Sequence, residues 1–314
     1  IIKKAKQRGD TLVPGGEVFT LYDTYGFPLD LTEEIAAEHG LHVDREGYQR
    51  ALEEQRQRAR AAMKAGAEQV SPVYKEVLES FGPTQFVGYA AAISEGKVLA
   101  IIKNEKRVEE AYEGETVEVI LDSTPFYGEG GGQIGDTGHL VFNENRARVL
   151  DATHPVPDLV AHTVKVERGK LQEGWTLSAE VDAERRRDVV LNHTATHLLH
   201  AALRQVVGDH VKQSGSLVAP DRLRFDYSHF SPLTEREIAR VEELVNERIR
   251  ENRPVQTEVK DIEAALQEGA MALFSEKYGA TARVVKISDF SIELCGGTHA
   301  HATGDIGLFK ITHE

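Results

Sequence analysis

The sequence predicts an α+β protein in three parts: a helical module over residues 1–80, a small β-barrel or sandwich over 81–182, and an α/β two-layer core with an antiparallel sheet over 183–314. Three observations carry this. Apolar residues recur at helical spacing in the first part. Short β-rich runs separated by turn residues follow Phe81-Gly82-Pro83. Helical and strand patterns then mix to the end.

In order, Leu31 to His39 and Tyr48 to Ala67 carry helix formers with helical apolar spacing, and Gly15-Gly16 and Pro28 punctuate them. Arg56, Arg58, Arg60 and Lys64 charge the second of these helices, and a solvated face explains them without a nucleic-acid contact. The β-rich runs are Lys97–Lys103, Thr116–Leu121, His139–Phe142, Ala147–Leu150, Val160–Val166 and Thr176–Val181, with turns at Asn143-Glu144-Asn145 and Glu167-Arg168-Gly169. Asp182 to Val207 reads as one helix, capped by Asp182, with an apolar stripe of Leu191, Ala195, Leu198, Ala202 and Val206. Val211–Val218 and Arg222–Tyr227 read as paired strands about Pro220-Asp221. Thr234–Asn252 reads as an amphipathic helix, and Val255–Val259 and Ala282–Ile287 as strands around a short helix near Ile262–Glu268. Ile306–Thr312 reads as a closing strand.

Composition narrows the class. Hydrophobic content of 40% and charged content of 28% are ordinary for a globular chain. No apolar run reaches the ~18 residues of a membrane span, and no signal peptide opens the chain. One cysteine excludes an internal disulfide and fits a reducing cytosol. A net charge of -14 argues against a generally basic nucleic-acid binder but leaves room for local basic patches. Ile1-Ile2-Lys3-Lys4 reads like the middle of a longer chain.

The chemistry concentrates in His193-Thr194-Ala195-Thr196-His197. At ~100° per residue both imidazoles fall side by side, opposite the apolar stripe. With thirteen histidines in 314 residues, about half a His-x3-His pair is expected by chance, so this pair alone is weak. Cys295, the sole cysteine, is followed four residues later by His299. The two spacings together favour a metal site, and a Cys/His set of this kind points to zinc. Four such ligands would close a tetrahedral site, which favours a structural role; a catalytic site would keep one position for water. No Glu follows His193, so the built-in base of a zinc protease is missing, and Asp188 and Glu293, the nearest carboxylates, lack the protease spacing. Thr196 reads as back-bonding to its own helix or as facing the site. Gln213 points either way, and His200 shares the His face, where an exposed imidazole is the commoner outcome.

Gly130, Gly132 and Gly135 match G-x-G-x-x-G, with Asp151 further on. A dinucleotide fingerprint must open a helix, and here the sequel is β-like, so that reading fails. The loop is either a flexible turn or a surface bare of Cβ atoms that another segment or a substrate approaches closely.

Asn192 to His200, Gln213 to Val218, Leu223 to Tyr227, Cys295-Gly296-Gly297-Thr298-His299, and Leu121 to Tyr127 running into the glycine loop together resemble the editing domain of alanyl-tRNA synthetase. Phe19 to Asp30 is similar to the stretch that precedes editing in that family. Related likenesses are free-standing alanyl-tRNA editing proteins and the zinc-type editing domain of threonyl-tRNA synthetase. The resemblance implies an internal synthetase fragment that hydrolyses mischarged Ser-tRNA(Ala) and Gly-tRNA(Ala). One zinc would be held by His193, His197, Cys295 and His299, making residues 183–314 a zinc-containing editing core. Thr196, Gln213 and Cys295 are the positions the likeness ties to activity, and Thr124 the position it links to sensing the serine hydroxyl. Gly130, Gly131, Gly132 and Gln133 would close over the aminoacyl group. The expected partners are the acceptor end of the tRNA for alanine and the rest of a synthetase chain. The fragment is expected to be monomeric and cytoplasmic, without membrane, ATP binding or tRNA charging. A binding module in which zinc only staples the fold is the competing reading.

Overall fold

The computed structural model describes residues 11–25, 27–53, 55, 71–272 and 280–314. Arg56, Arg58, Arg60, Lys64, the end of the expected 48–67 helix, and Ile1 to Lys4 lie outside them. The chain divides into two compact units, Ile1–Val70 and Ser71–Glu314.

In the first unit, α1 (Gly15–Tyr25) and α2 (Leu29–Glu38) are helical. Their apolar sides, with Leu41 and Tyr48, bury a small core of Val13, Val18 and Ala36.

The second unit opens with α3 (Pro72–Phe81), whose proline sits in the first turn, where no N–H is needed. Val73 and Val77 on this helix pack on Ala100, Ile102, Ile120 and Leu159 of the strands that follow. The expected boundary at residue 80 therefore cuts a packed element: the compact-unit boundary lies at Val70/Ser71.

Six strands then close into a barrel: β1 (Ile93–Lys103), β2 (Thr116–Leu121), β3 (Gly138–Phe142), β4 (Asn145–Val156), β5 (Leu159–Arg168) and β6 (Thr176–Val181). The order is β6-β3-β4-β5-β2-β1, and β6 returns to β1 with Thr176 opposite Lys97 and Glu180 opposite Ile93. All six pairings are antiparallel. Period-two alternation explains the runs of Val and Ile. Ile101, Val119 and Val164 point into the barrel, while their neighbours Ala100, Ile102 and Ile120 point outward under α3.

The long helix α4 (Ala183–Val207) leaves the barrel, with Asp182 accepting from the Arg185 N–H at 3.1 Å as its cap. A hairpin, β7 (Gln213–Val218) and β8 (Leu223–Tyr227), leads to α5 (Glu235–Arg250), which opens with a Thr234/Glu237 capping box. A second sheet holds β9 (Val255–Asp261), β10 (Thr281–Ile287) and β11 (Ser291–Leu294), with Met271–Ala272 on its edge. Helices α4 and α5 bury Leu198, Ala202, Val241, Leu244 and Ile287 in one cluster.

Two expectations change here. The antiparallel sheet is not single: the β7/β8 hairpin stands apart, and Met271–Ala272 pairs parallel to β11. Residues 306–312 are not a strand. A 3-10 turn (Thr303–Ile306) precedes a tail whose backbone is satisfied by side chains of α5. The Asn246 amide bonds both N–H and C=O of Phe309, and Glu242 accepts from Ile311 N–H. Phe309 still buries its ring in the α4/α5 cluster, which is why the tail looked strand-like in sequence.

Candidate metal centre

Helix α4 runs through the middle of this half, so His193 to Leu203 is buried all around rather than on one stripe. His193 and His197, one turn apart, stack with ring centroids 5.4 Å apart. The loop Cys295–His299 leaves the end of β11 and lies on them. Thr194 pins it, its hydroxyl accepting from Ala300 N–H at 3.0 Å. Gly297 is required at the contact: a Cβ there would stand 2.0 Å from Cε1 of His193.

The outer nitrogens of both helix histidines are committed. Nδ1–H of His193 donates to Gln133 Oε1 at 2.7 Å, and the same oxygen accepts from Thr298 N–H at 2.9 Å. Nδ1–H of His197 donates to Glu293 Oε2 at 2.5 Å. These bonds fix the tautomers and turn both Nε2 atoms inward. Cys295 Sγ lies 3.4 Å from Nε2 of His193 and 3.4 Å from Nε2 of His299. Nε2 of His197 is buried with no partner among the described residues. The donor atoms of His193, His197, Cys295 and His299 all lie within 4.8 Å of one another. Tetrahedral zinc, with bonds of about 2.0–2.3 Å, needs donors at that order of separation. The residues present therefore fit the ion.

The electrostatics agree. Burial alone would keep the Cys295 thiol protonated, but His193 and His299 beside it hold it well below the usual thiol range. Burial pushes His299 down to about 3, leaving a neutral imidazole with a free lone pair. Burial opposes charge on both His197 and Glu293, yet their mutual attraction wins, lowering the carboxyl and raising the imidazole. The spot at His197 Nε2 thus favours positive charge, which a cation supplies in place of a proton. Replacing Glu293 by Gln keeps the shape and removes that charge. Zinc affinity should fall by about 10- to 100-fold in competition with a chromophoric chelator.

A small, partly open pocket of about 20 Å³ lies at the cluster, lined by Gly131, Thr196, Gln213, Ser216 and Phe225 together with His193, His197, His200, Glu293 and Cys295. Of the residues expected at the site, Thr196, Gln213, Cys295 and Gly131 meet here. The Thr196 hydroxyl also donates to Asn192 C=O at 2.8 Å. Gln133 is fully buried and faces His193. Gly132, at φ 85°, lies against β7, where a Cβ would come within 2.8 Å of Ser216; Val218 N–H donates to its carbonyl. The glycine loop is thus a surface that another segment approaches, rather than a loose turn. Gly130 is not among the lining residues, and neither is Thr124. The Thr124 hydroxyl lies inside the barrel, donating to Nε2 of His162 at 2.8 Å, while burial pushes that ring down to about 4 and Val119 C=O accepts from its Nδ1–H. His200, expected more often exposed, is 2% exposed and bonded to Glu293.

Glu293, which motif spacing did not assign to the site, meets both His197 and His200. It sits two residues before Cys295 on the strand that leads to it, which is the signal the sequence offered.

The model for class II (A) tRNA synthetases matches residues 1–185, and the threonyl and alanyl tRNA synthetase second additional domain matches residues 282–314. An alanine–tRNA ligase of Pelotomaculum thermopropionicum is 49% identical over 317 residues, covering 100% of this chain and 36% of that protein. Those of Wolbachia pipientis and a Thermoanaerobacter species are each 50% identical, over 98% and 100% of this chain and 35% and 36% of their own lengths. The chain spans about a third of these relatives.

Proposed function

The chain belongs to the alanyl-tRNA synthetase family, and from that premise we propose that its barrel-and-metal unit hydrolyses the ester of Ser-tRNA(Ala) and Gly-tRNA(Ala), in the cytoplasm and as part of a longer synthetase. The observation that carries this reading is the pocket itself: Thr196 and Gln213 share one cavity with Cys295, one edge of a donor group that could hold a metal ion.

The physical need is plain. A pocket built for alanine rejects glycine by only about 1–3 kcal/mol, the worth of a methylene, and discriminates poorly against serine's added hydroxyl. A second, hydrolytic site removes the wrong esters. The ester is already activated, so a held water and charge stabilisation at its carbonyl suffice. Bound zinc would supply positive charge beside the cleft that orients the terminal adenosine or polarises the ester. Thr196 and Gln213 hold polar groups of the substrate or the water. Phe225 gives the cleft an apolar wall. Gly131 brings backbone to the aminoacyl group without a Cβ in the way.

A second reading has support from the donor set: four protein ligands complete a tetrahedron, so the ion staples the fold and the unit docks the acceptor stem without chemistry. Hydrolysis of Ser-tRNA(Ala), Gly-tRNA(Ala) and Ala-tRNA(Ala) side by side separates the two. The hydrolase reading expects the first two to be cleared at least about 100-fold above the spontaneous rate and Ala-tRNA(Ala) spared, with a chelator abolishing the effect. Spontaneous rates for all three with metal loaded would leave the docking module.

A further inference from the structure

Two ring nitrogens in this half are buried with no hydrogen-bond partner among the described residues: Nε2 of His197 and Nε2 of His200. The four-donor cluster accounts for the first. It does not account for the second, because His200 is not among the side chains whose donors converge. A buried polar atom left without a hydrogen bond is destabilising, so a ring held in that state points to a partner that arrives from outside.

Its surroundings say what kind. His200 lines the same cleft as Thr196 and Gln213. Its Nδ1–H donates to Glu293 Oε1 at 2.9 Å, and Ser291 Oγ–H donates to the same oxygen at 3.2 Å. The other oxygen of Glu293 takes Nδ1–H of His197. One carboxylate thus orients two rings, one toward the cation site and one with its remaining nitrogen free. A carboxylate holding Nδ1–H while Nε2 is left buried and unpaired in a residue that lines a pocket is the arrangement by which histidine takes a proton from a nucleophile.

We propose, on the ester-hydrolase reading above, that His200 is a further catalytic residue, whose Nε2 hydrogen-bonds the attacking water and accepts its proton. The water oxygen bonds to the ester carbonyl carbon as its proton passes to Nε2. The bond from that carbon to the ribose oxygen then breaks, and the ribose oxygen recovers the proton while the free amino acid leaves.

The test separates this role from merely supporting Glu293. In His200→Asn the amide nitrogen takes the place of Nδ1 and keeps the donation to Glu293, but Nε2 is gone. The expected result is a kcat on Ser-tRNA(Ala) about 100-fold lower, KM within about threefold, and zinc content unchanged. A zinc-replete H200N working at the wild-type rate overturns the proposal. If H200N fails to fold or loses zinc, the wild-type protein decides. With nitrogen-15-labelled histidine and a seryl amide of 3′-amino-3′-deoxyadenosine as probe, the His200 Nε2 signal should move on binding; a signal unmoved at saturation overturns the role. A wild type that hydrolyses no Ser-tRNA(Ala) defeats the hydrolase reading and this role with it. A wild type that hydrolyses while H200N matches it defeats the role alone.

Discussion

On the proposed zinc-dependent hydrolysis, replacing His193 by alanine is expected to abolish zinc binding and lower Ser-tRNA(Ala) hydrolysis by on the order of 1,000-fold or more. The effect is large because His193 serves three partners at once. Its Nε2 faces Cys295 Sγ at 3.4 Å, its Nδ1–H donates to Gln133, and its ring fills the space against Gly297. Alanine removes one of four donors, takes away one of the two hydrogen bonds to Gln133 Oε1 and opens a hole under the Cys295–His299 loop. The measurement is metal per chain by mass spectrometry beside the deacylation rate, with circular dichroism to confirm the fold. Wild-type protein freed of zinc by a chelator is the control. If that metal-free protein stays folded and hydrolyses at the undiminished rate, the ion takes no part in the chemistry.

The ligand set was legible in sequence because its spacing is local: a helix turn separates His193 from His197, and Cys295 and His299 share one short loop. The barrel strands were legible because one face is always buried and the alternation is strong. What escaped depends on contacts far apart in the chain. Nothing local to Thr124 says that its hydroxyl will meet His162, 38 residues on, inside the barrel. Nothing local to Gln133 says that it will leave the glycine loop's outer side and lock a histidine 60 residues away. The tail at Phe309 carried a strand's apolar pattern, but its backbone partners are side chains of α5, which periodicity does not register. The burial of His200 follows from the hairpin and β11 closing over α4, a packing event that one helix cannot announce.

Asp136→Ala should be the most destabilising polar substitution outside the metal centre, by about 3–5 kcal/mol, because it leaves a buried guanidinium unpaired. Asp136 is 1% exposed and receives Arg186 on both carboxylate oxygens, with Nε at 2.9 and 3.0 Å, and Tyr127 N–H at 2.6 Å. The same guanidinium donates to Gly88 C=O at 3.0 Å and Pro125 C=O at 2.8 Å. Arg186 lies on α4, two turns before His193, so this one side chain ties the site helix to three segments of the barrel side. Without Asp136 the charge stays, held by two carbonyls that cannot neutralise it. For a unit of this size the melting temperature should fall by on the order of 10 °C. Asp136→Asn, which keeps the shape and one acceptor, should fall between. The double variant Asp136→Ala/Arg186→Met should cost less than the sum of the single changes, because it removes the stranded charge. If D136A melts within about 2 °C of wild type, the guanidinium has found water, and the barrel and the metal half are held together by the glycine-loop contact on β7 instead.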